Sequence, residues 1–233
     1  LVLARRGPDA GFDDTELELI QLFAGHVSIA LQNADEHQAA ELRAQTDSLT
    51  GLKNQGTFRE HMSFWVNRGA PFSLLILDLD GFKAYNDASG HEAGNHLLTV
   101  IAASLRAACR DTDEVFRYGG DEFALILPGT EGSGALEVAG RIARSIRGVG
   151  ADSHGSRGIS CSVGVATYPV DADERAGLVL AADRACYAAK RAGRDRIATA
   201  WEGLAFVQST EAEAVEASVI GRDTSTEPAS AAR

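Results

Sequence analysis

In Arg117-Tyr118-Gly119-Gly120-Asp121-Glu122-Phe123 two glycines are flanked by strand-like stretches, 114–118 and 123–127, and the reading of this segment decides the fold. Paired glycines between two strand-like runs mark a tight hairpin turn. They also let backbone approach a ligand closely, because no Cβ stands in the way. The acidic pair Asp121-Glu122 then opens the second strand. A second acidic sequence, Asp78-Leu79-Asp80, closes the near-continuous apolar run from Phe72 to Leu77. Such a run is the mark of a strand buried on both faces.

Carboxylates at the ends of neighbouring strands can converge to share divalent cations, and paired-metal sites hold two ions about 3.5–4 Å apart. Hard oxygen donors favour Mg²⁺ or Mn²⁺ over Zn²⁺. Taken singly, each element has a plainer reading: Asp-x-Asp as a solvated turn, and Gly-Gly as a hairpin bend.

Outward from these strands the pattern alternates. Asp47-Ser48-Leu49-Thr50-Gly51-Leu52 interrupts a helix, and Asn54 is placed to cap the next one, expected to run to about Asn67. Gly94, Leu97, Leu98, Ile101, Leu105 and Ala108 share one helical face, and Ala135, Ala139, Ile142 and Ile146 another. Ile159 to Tyr168 reads as a strand and Leu178 to Lys190 as the last long helix. Helices alternating with strands predict an α/β (α+β) sandwich. From about residue 201 the chain is rich in Ser, Thr, Glu and Ala and is expected to be a disordered tail over 201–233.

Composition narrows the function. The chain has 233 residues and a net charge of −11, from 33 acidic and 22 basic residues. That balance argues against a nucleic-acid surface, which recruits basic faces. A small phosphate ligand needs only a local cluster of cations and a metal. Cys109, Cys161 and Cys186 are odd in number, lack CxxC spacing and sit in apolar runs, as reduced core residues of a cytosolic protein do. No stretch reaches the length of a transmembrane segment. The chain opens on Leu1 without a signal-peptide pattern and is expected to be a piece of a larger protein.

Before residue 46 lies one long helical pattern. Leu17, Ile20, Ala24, Val27, Leu31 and Ala34 alternate three and four apart, the spacing of a coiled-coil seam, which restarts after a skip at Ala39, Leu42 and Thr46. Two readings stand: an amphipathic helix packed on its own domain, or a dimerising signalling helix.

Together these segments resemble the GGDEF family of diguanylate cyclases. Arg117 to Phe123 matches the family's signature, and Asp47 to Asn54 resembles its opening motif. Asp78-Leu79-Asp80-Gly81-Phe82-Lys83, with Asn86-Asp87 and Gly90-His91, is similar to its metal and nucleotide segment. Asp183, Tyr187, Ala189-Lys190 and Gly193-Arg194-Asp195 resemble its closing motif. Gly11-Phe12-Asp13-Asp14 and the stretch from Ala24 to Asn33 resemble the end of a GAF sensor domain. The implied organisation is residues 1–46 as the end of a GAF-like domain with a signalling helix, residues 47–200 as the cyclase domain, then the tail. The implied fold is a central, mostly antiparallel sheet flanked by helices, palm-like as in nucleotide cyclases and polymerases, preceded by the long N-terminal helix.

The resemblance also implies roles. Two GTP molecules would be joined into cyclic di-GMP with release of pyrophosphate. Asp78 and Asp121, with the Leu79 carbonyl, would hold two Mg²⁺ or Mn²⁺ ions. Asp121 or Glu122 would be the base for the ribose 3′-hydroxyl, and Lys83 would stabilise phosphate charge. Backbone amides around Gly81 and Phe82 would cradle phosphate oxygens. Gly119, Gly120 and His91 belong to the substrate-binding set, and Asn86 with Asn95 would read the base. Lys190 and Arg194, four apart and so on one side of a helix end, would grip the terminal phosphates. Arg110, Asp113 and Arg141 would form an inhibitory site for cyclic di-GMP, arginine being suited to a guanine edge. Each domain would bind one GTP, so a homodimer through the N-terminal helix would let two half-sites meet, in a bacterial cytoplasm.

Three positions depart from the family pattern. Asn95 replaces an acid, and an amide donates on one side where guanine N1 and N2 need two acceptors. Guanine-selective binding and relaxed choice, with a mixed cyclic GMP–AMP product, both remain open. Gln55 stands for an arginine and removes an expected ion pair with Asp47. Gly81 replaces a larger residue and is expected only to loosen its loop. The rival reading from another class is a non-catalytic receptor for GTP or cyclic di-GMP.

Overall fold

The structure, a computed structural model, describes residues 13–147, 149 and 158–209. Its chain divides into two units, Leu1–Thr46 and Asp47–Arg233.

The first unit is α1 (Asp14–Gln45). Asp13 starts it with a capping box: its carboxylate accepts from the Glu16 amide at 2.7 Å, and Glu16 returns a bond to the Asp13 amide at 3.1 Å. Of the expected seam, Ile20, Ala24 and Val27 are half-buried, while Leu17 and Leu31 are exposed, as are Leu19, Leu22, Phe23 and Ile29. Gly11 and Phe12, on which the GAF-like reading leans, lie outside the described residues.

The second unit is a sheet with helices on both faces. Its elements run α2 (Gln55–Arg68), β1 (Phe72–Asp80), α3 (Phe82–Ser89), α4 (His91–Ala108), β2 (Glu114–Arg117), β3 (Glu122–Pro128), α5 (Gly132–Ile146), β4 (Ser160–Tyr168), α6 (Arg175–Arg191) and β5 (Ile197–Thr199). The strand order is β2-β3-β1-β4-β5, antiparallel except for β4 beside β5. The apolar run that opens β1 is central, with a hydrogen-bonded neighbour on each side, which is why it carries no polar alternation.

Successive residues of a strand face opposite sides, and the two cores divide accordingly. Leu75, Leu77 and Leu79 pack with Leu97, Leu98, Ile101 and Leu105 of α4 and Ile142 and Ile146 of α5. Phe72, Leu74 and Ile76 pack with Phe58 and Met62 of α2 and Leu178, Ala182 and Cys186 of α6. Where α6 crosses β4 only glycine fits. A Cβ on Gly164 would stand 2.0 Å from the Ala182 carbonyl oxygen.

Asn54 caps α2 as expected, accepting from the Thr57 amide at 3.0 Å. Glu114, at the start of β2, ties that edge strand to α2 and the preceding loop. It accepts from Lys53 at 2.6 Å and Trp65 Nε1 at 2.8 Å, and it also contacts His61.

One expectation changes. The tail expected from residue 201 does not begin there: residues 200–209 are helical, and 210–233 lie outside the described residues. Thr199 and Glu202 cap this helix, α7, reciprocally. Its backbone comes so close to α6 at Gly203 that a Cβ would stand 2.6 Å from the Ala185 amide nitrogen. Phe206 meets Tyr187 edge to face at 5.8 Å between centroids. Contact through a glycine and one ring leaves little apolar pattern to read. Cys161 and Cys186 are buried and reduced, and Cys109 is half-buried. No described helix is long and apolar enough to cross a membrane.

Candidate active site

The site forms where β1 ends beside the start of β3. The register sets Asp78 directly opposite Glu122, and the Leu79 amide donates to the Asp121 carbonyl at 3.2 Å. Asp78 and Glu122 therefore share the sheet face covered by α6, whose last turn brings Lys190 Nζ to 2.5 Å from the Asp78 carboxylate. Asp78 is 13% exposed and Lys190 33%.

Burial holds the Asp78 carboxyl above its ordinary value. Lys190 offsets this, while Asp121 and Glu122 add to it. Burial opposes the Lys190 charge, but the bond to Asp78 outweighs it and the ammonium is strengthened. Both values are therefore raised, and the lysine is charged, its carboxylate partner standing beside two further negative groups. That concentration of negative charge is a demand for a cation, which Lys190 meets in part.

The Gly119-Gly120 turn is shaped around this group. Tyr118 and Gly119 amides both donate to the Glu122 carbonyl, at 2.8 and 3.1 Å. A Cβ on Gly119 would lie 2.5 Å from Glu122 Oε2, so the missing side chain is what seats the carboxylate. Arg117 braces the turn from behind. Its Nε and Nη2 donate to the Gly120 carbonyl at 3.2 and 2.8 Å, and its Nη1 to both Asp47 oxygens at 3.0 and 3.1 Å. Asp47 thus has its ion pair despite Gln55; the partner is Arg117, 70 residues away and not apparent from the sequence. The signal was there in part, since Arg117 directly precedes the turn it holds.

Gly81 has φ of +82° and caps the N-terminus of α3 without a side-chain bond. Glycine is suited to that left-handed position, so the expectation that it merely loosens the loop is replaced by a conformational reason for it. The first amides of α3, from Phe82 and Lys83 onward, have no partners within the helix and carry its positive dipole end, a standard phosphate cradle. Lys83 is exposed beside them and Phe82 is buried beneath.

Sequence patterning did not predict α3, which carries Asn86 onto α4. Asn86 fits over Gly94, where a Cβ would be 1.7 Å from Asn86 Oδ1. Among the described residues that buried oxygen has no hydrogen-bond partner. Asn95 follows Gly94 on α4 and is exposed, as is His91 at the helix start.

Lys190 and Arg194 do not share a helical face. α6 ends at Arg191, and Arg194 lies beyond it in a loop with φ of +62°. The expected four-residue alignment fails because Gly193, at φ +119°, turns the chain first.

Arg110, Asp113 and Arg141 gather at the far end of α4. Asp113 Oδ2 accepts from the Arg110 amide at 2.8 Å, closing a tight turn, and Arg141 Nε donates to the Ala108 carbonyl at 2.8 Å. Among the described residues the Arg110 guanidinium has no ion pair, so Arg110 and Asp113 are not a surface salt bridge. Nearby, burial pushes the Cys109 thiol up to about 11, with Asp113 adding and Arg141 opposing.

Among the described residues no three His, Cys, Asp or Glu side chains cluster tightly enough to hold a metal ion alone. The donor set present fits a hard divalent ion only with help from main chain and substrate phosphates. Asp78 lies near enough to Asp121 for the two charges to act on each other.

A central antiparallel sheet with acids at adjoining strand ends, a glycine turn and a facing lysine defines a nucleotide-cyclase palm. The model of the diguanylate cyclase GGDEF domain matches residues 44–196, and this chain belongs to that family. It is 33% identical over 195 residues to diguanylate cyclase A of Treponema denticola, covering 80% of this chain and 51% of that protein. It is 39% identical over 166 residues to diguanylate cyclase TpbB of Pseudomonas aeruginosa, covering 69% of this chain and 38% of that one. The chain spans about half or less of the length of these relatives. The crystallised coiled coil and GGDEF domain of DgcB from Caulobacter crescentus, in complex with c-di-GMP, superposes with a TM-score of 0.69 at 26% identity, covering 78% of this chain and 98% of that one. The GGDEF domain of TpbB superposes at 0.59 with 36% identity, covering 64% and 97%.

Proposed function

We propose that this chain joins two GTP molecules into cyclic di-GMP, releasing pyrophosphate at each bond formed. The observation that carries it is the register pairing of Asp78 with Glu122, beside Asp121 and Lys190, next to the open N-terminus of α3.

The 3′-oxygen of one GTP attacks the α-phosphate of another. Asp121 or Glu122 takes the hydroxyl proton; Glu122 is seated against Gly119 on the Asp78 side, while Asp121 flanks the strand end. Amides of the Gly81–Phe82 turn, with Lys83, hold phosphate oxygens and offset the charge that grows as pyrophosphate leaves. Lys190 and Arg194 bind the terminal phosphates, Lys190 exchanging part of its hold on Asp78 for the substrate. Two Mg²⁺ or Mn²⁺ ions, held by Asp78, Asp121 and the Leu79 carbonyl, would supply electrophilic stabilisation of the phosphates. Asn86 and Asn95 contact the base, and guanine is the preferred one, its N1–H and N2–H offering two donors to amide oxygens.

Cyclic di-GMP is also proposed to bind at Arg110, Asp113 and Arg141 and to slow turnover, the unpaired Arg110 guanidinium taking a guanine edge. Two chains meet through α1 so that two loaded half-sites face each other. The exposed Leu17 and Leu31 of the expected seam support that role over the helix serving its own domain alone. A cytoplasmic setting in a bacterium fits a nucleotide-triphosphate substrate.

The test is incubation with Mg²⁺ and GTP, ATP or both, with products identified by mass spectrometry. Cyclic di-GMP from GTP is expected, with little mixed product. Asp121→Ala should lose at least about a hundredfold in rate with its melting temperature kept. Nucleotide binding without any cyclic product would replace the cyclase with a receptor.

A further inference from the structure

Asp80 follows Asp78 by two residues and, by strand alternation, lies on the same face. It is not part of the carboxylate group around Asp78. Its Oδ1 accepts from Ser162 Oγ at 2.8 Å, and its Oδ2 accepts from Ser160 Oγ at 2.9 Å and from the Asp195 backbone amide at 2.9 Å. Two of those donors belong to β4, the neighbouring strand. The third belongs to the loop that carries Arg194.

That loop is held in an uncommon conformation. Gly193, Arg194 and Asp195 have φ values of +119°, +62° and +48° in succession. Residues other than glycine keep such angles only where their surroundings impose them. The restraints are few and identifiable. The Arg194 amide donates to the Ala189 carbonyl at 3.1 Å, the Asp195 amide to Asp80, and the Asp195 carboxylate pairs with Arg147 at 2.9 Å. The Arg147 pair is exposed on both sides and contributes little in water. Arg196 Nε also donates to the Arg194 carbonyl at 3.1 Å, and the Arg196 carbonyl accepts from the Val163 amide at 2.9 Å where β5 begins. Within 193–195 the half-buried Asp80 carboxylate is the side-chain tie to the sheet.

We infer that Asp80 is a positioning residue for the substrate's terminal phosphates, not a metal ligand. One strand end then places both cations: Asp78 aligns Lys190 by direct contact, and Asp80 aligns Arg194 through the loop backbone. Two residues of strand separate these anchors by about 6.6 Å, so the spacing of the two cations follows from the pitch of β1. This rests on the reading of Lys190 and Arg194 as the triphosphate grip.

Binding of 3′-deoxy-GTP, which lacks the attacking hydroxyl, and of GMP, which lacks the terminal phosphates, separates the possibilities when measured calorimetrically with Mg²⁺. Asp80→Ala should weaken 3′-deoxy-GTP about tenfold, the scale of a lost charge-assisted bond, and leave GMP within twofold. Asp80→Asn should stay within about threefold of the parent. Its oxygen can accept from Asp195 and Ser160 while its amide donates to the Ser162 hydroxyl. Arg194→Ala should match Asp80→Ala, and the double variant should be no weaker than Arg194→Ala alone.

If Asp80→Ala does not fold, the Ser160→Ala/Ser162→Ala variant, which frees the carboxylate from two anchors, should weaken 3′-deoxy-GTP in the same direction but by less, with GMP unchanged. Equal loss of both nucleotides, an additive double variant, or Asp80→Asn failing as badly as Asp80→Ala would each overturn the inference. Should Arg194→Ala itself leave 3′-deoxy-GTP binding unchanged, the phosphate-grip reading beneath it is wrong.

Discussion

Two glycines carry more of the site than their size suggests, because each is defined by the side chain that fills its space. At Gly119 the neighbour is the Glu122 carboxylate and at Gly94 the Asn86 amide. Alanine at either position must move that group, since an added Cβ would overlap it. Gly119→Ala is expected to slow cyclic di-GMP formation at least about tenfold with the melting temperature within about 3 °C of the parent. Initial rates of pyrophosphate release read this directly, and a rate within twofold of the parent would show that Glu122 has no fixed place in the chemistry. Gly94→Ala, which displaces the base-contacting Asn86, should instead raise KM for GTP roughly tenfold with a smaller change in kcat.

The elements matter through the points where they are fastened. Helix α6 brings Lys190 to Asp78 only because it lies on β4 at Gly164 with no side chain between. Gly164→Ala must lift the helix, and a loss of about 1–3 kcal/mol on chemical denaturation is expected, as for other overpacked contacts. At the other edge, Asp47 and Arg117 clamp the signature turn. Burial opposes the Asp47 charge, but bonds from the Thr50 hydroxyl and amide and from Arg117 outweigh it, leaving the carboxyl below its ordinary value. A carboxylate depressed in the folded state stabilises fully above its unfolded value, near pH 4. The contribution is lost as pH falls through the folded value. Asp47→Asn should therefore cost stability at pH 7 and narrow the gap to the parent below pH 4, as thermal melts across that range would show. A gap that stays constant with pH would mean the clamp is not ionic.

Across the whole molecule the proposed reaction needs two nucleotides brought together, and the first unit offers the means. A 32-residue helix whose seam carries the exposed Leu17 and Leu31 is what a parallel helix pair would bury. Ile20→Glu with Val27→Glu, at the centre of the seam, should convert a dimer to a monomer by sedimentation velocity. The specific rate should fall at least about tenfold at micromolar protein. A fully active monomer would remove α1 from the mechanism.

Much of this was legible in the chain itself. Local rules sufficed for β1, whose near-continuous apolar run marked a central strand, for the Gly119-Gly120 hairpin, for the Asn54 cap and for the buried faces of α4 and α5. The family resemblance also brought Asp78 and Asp121 under one hypothesis, with convergence of acids at neighbouring strand ends as its physical reason. Other features depended on partners distant in sequence. Nothing near Asp47 foretells Arg117, nor does anything near Asp80 foretell the Asp195 amide, 115 residues on. The loop past α6 defeats helical spacing by left-handed turns, α7 meets α6 at a glycine, and α3 is too short to show a period beyond Phe82 and Tyr85. Periodicity records which face is buried; only the folded chain decides what lies against it.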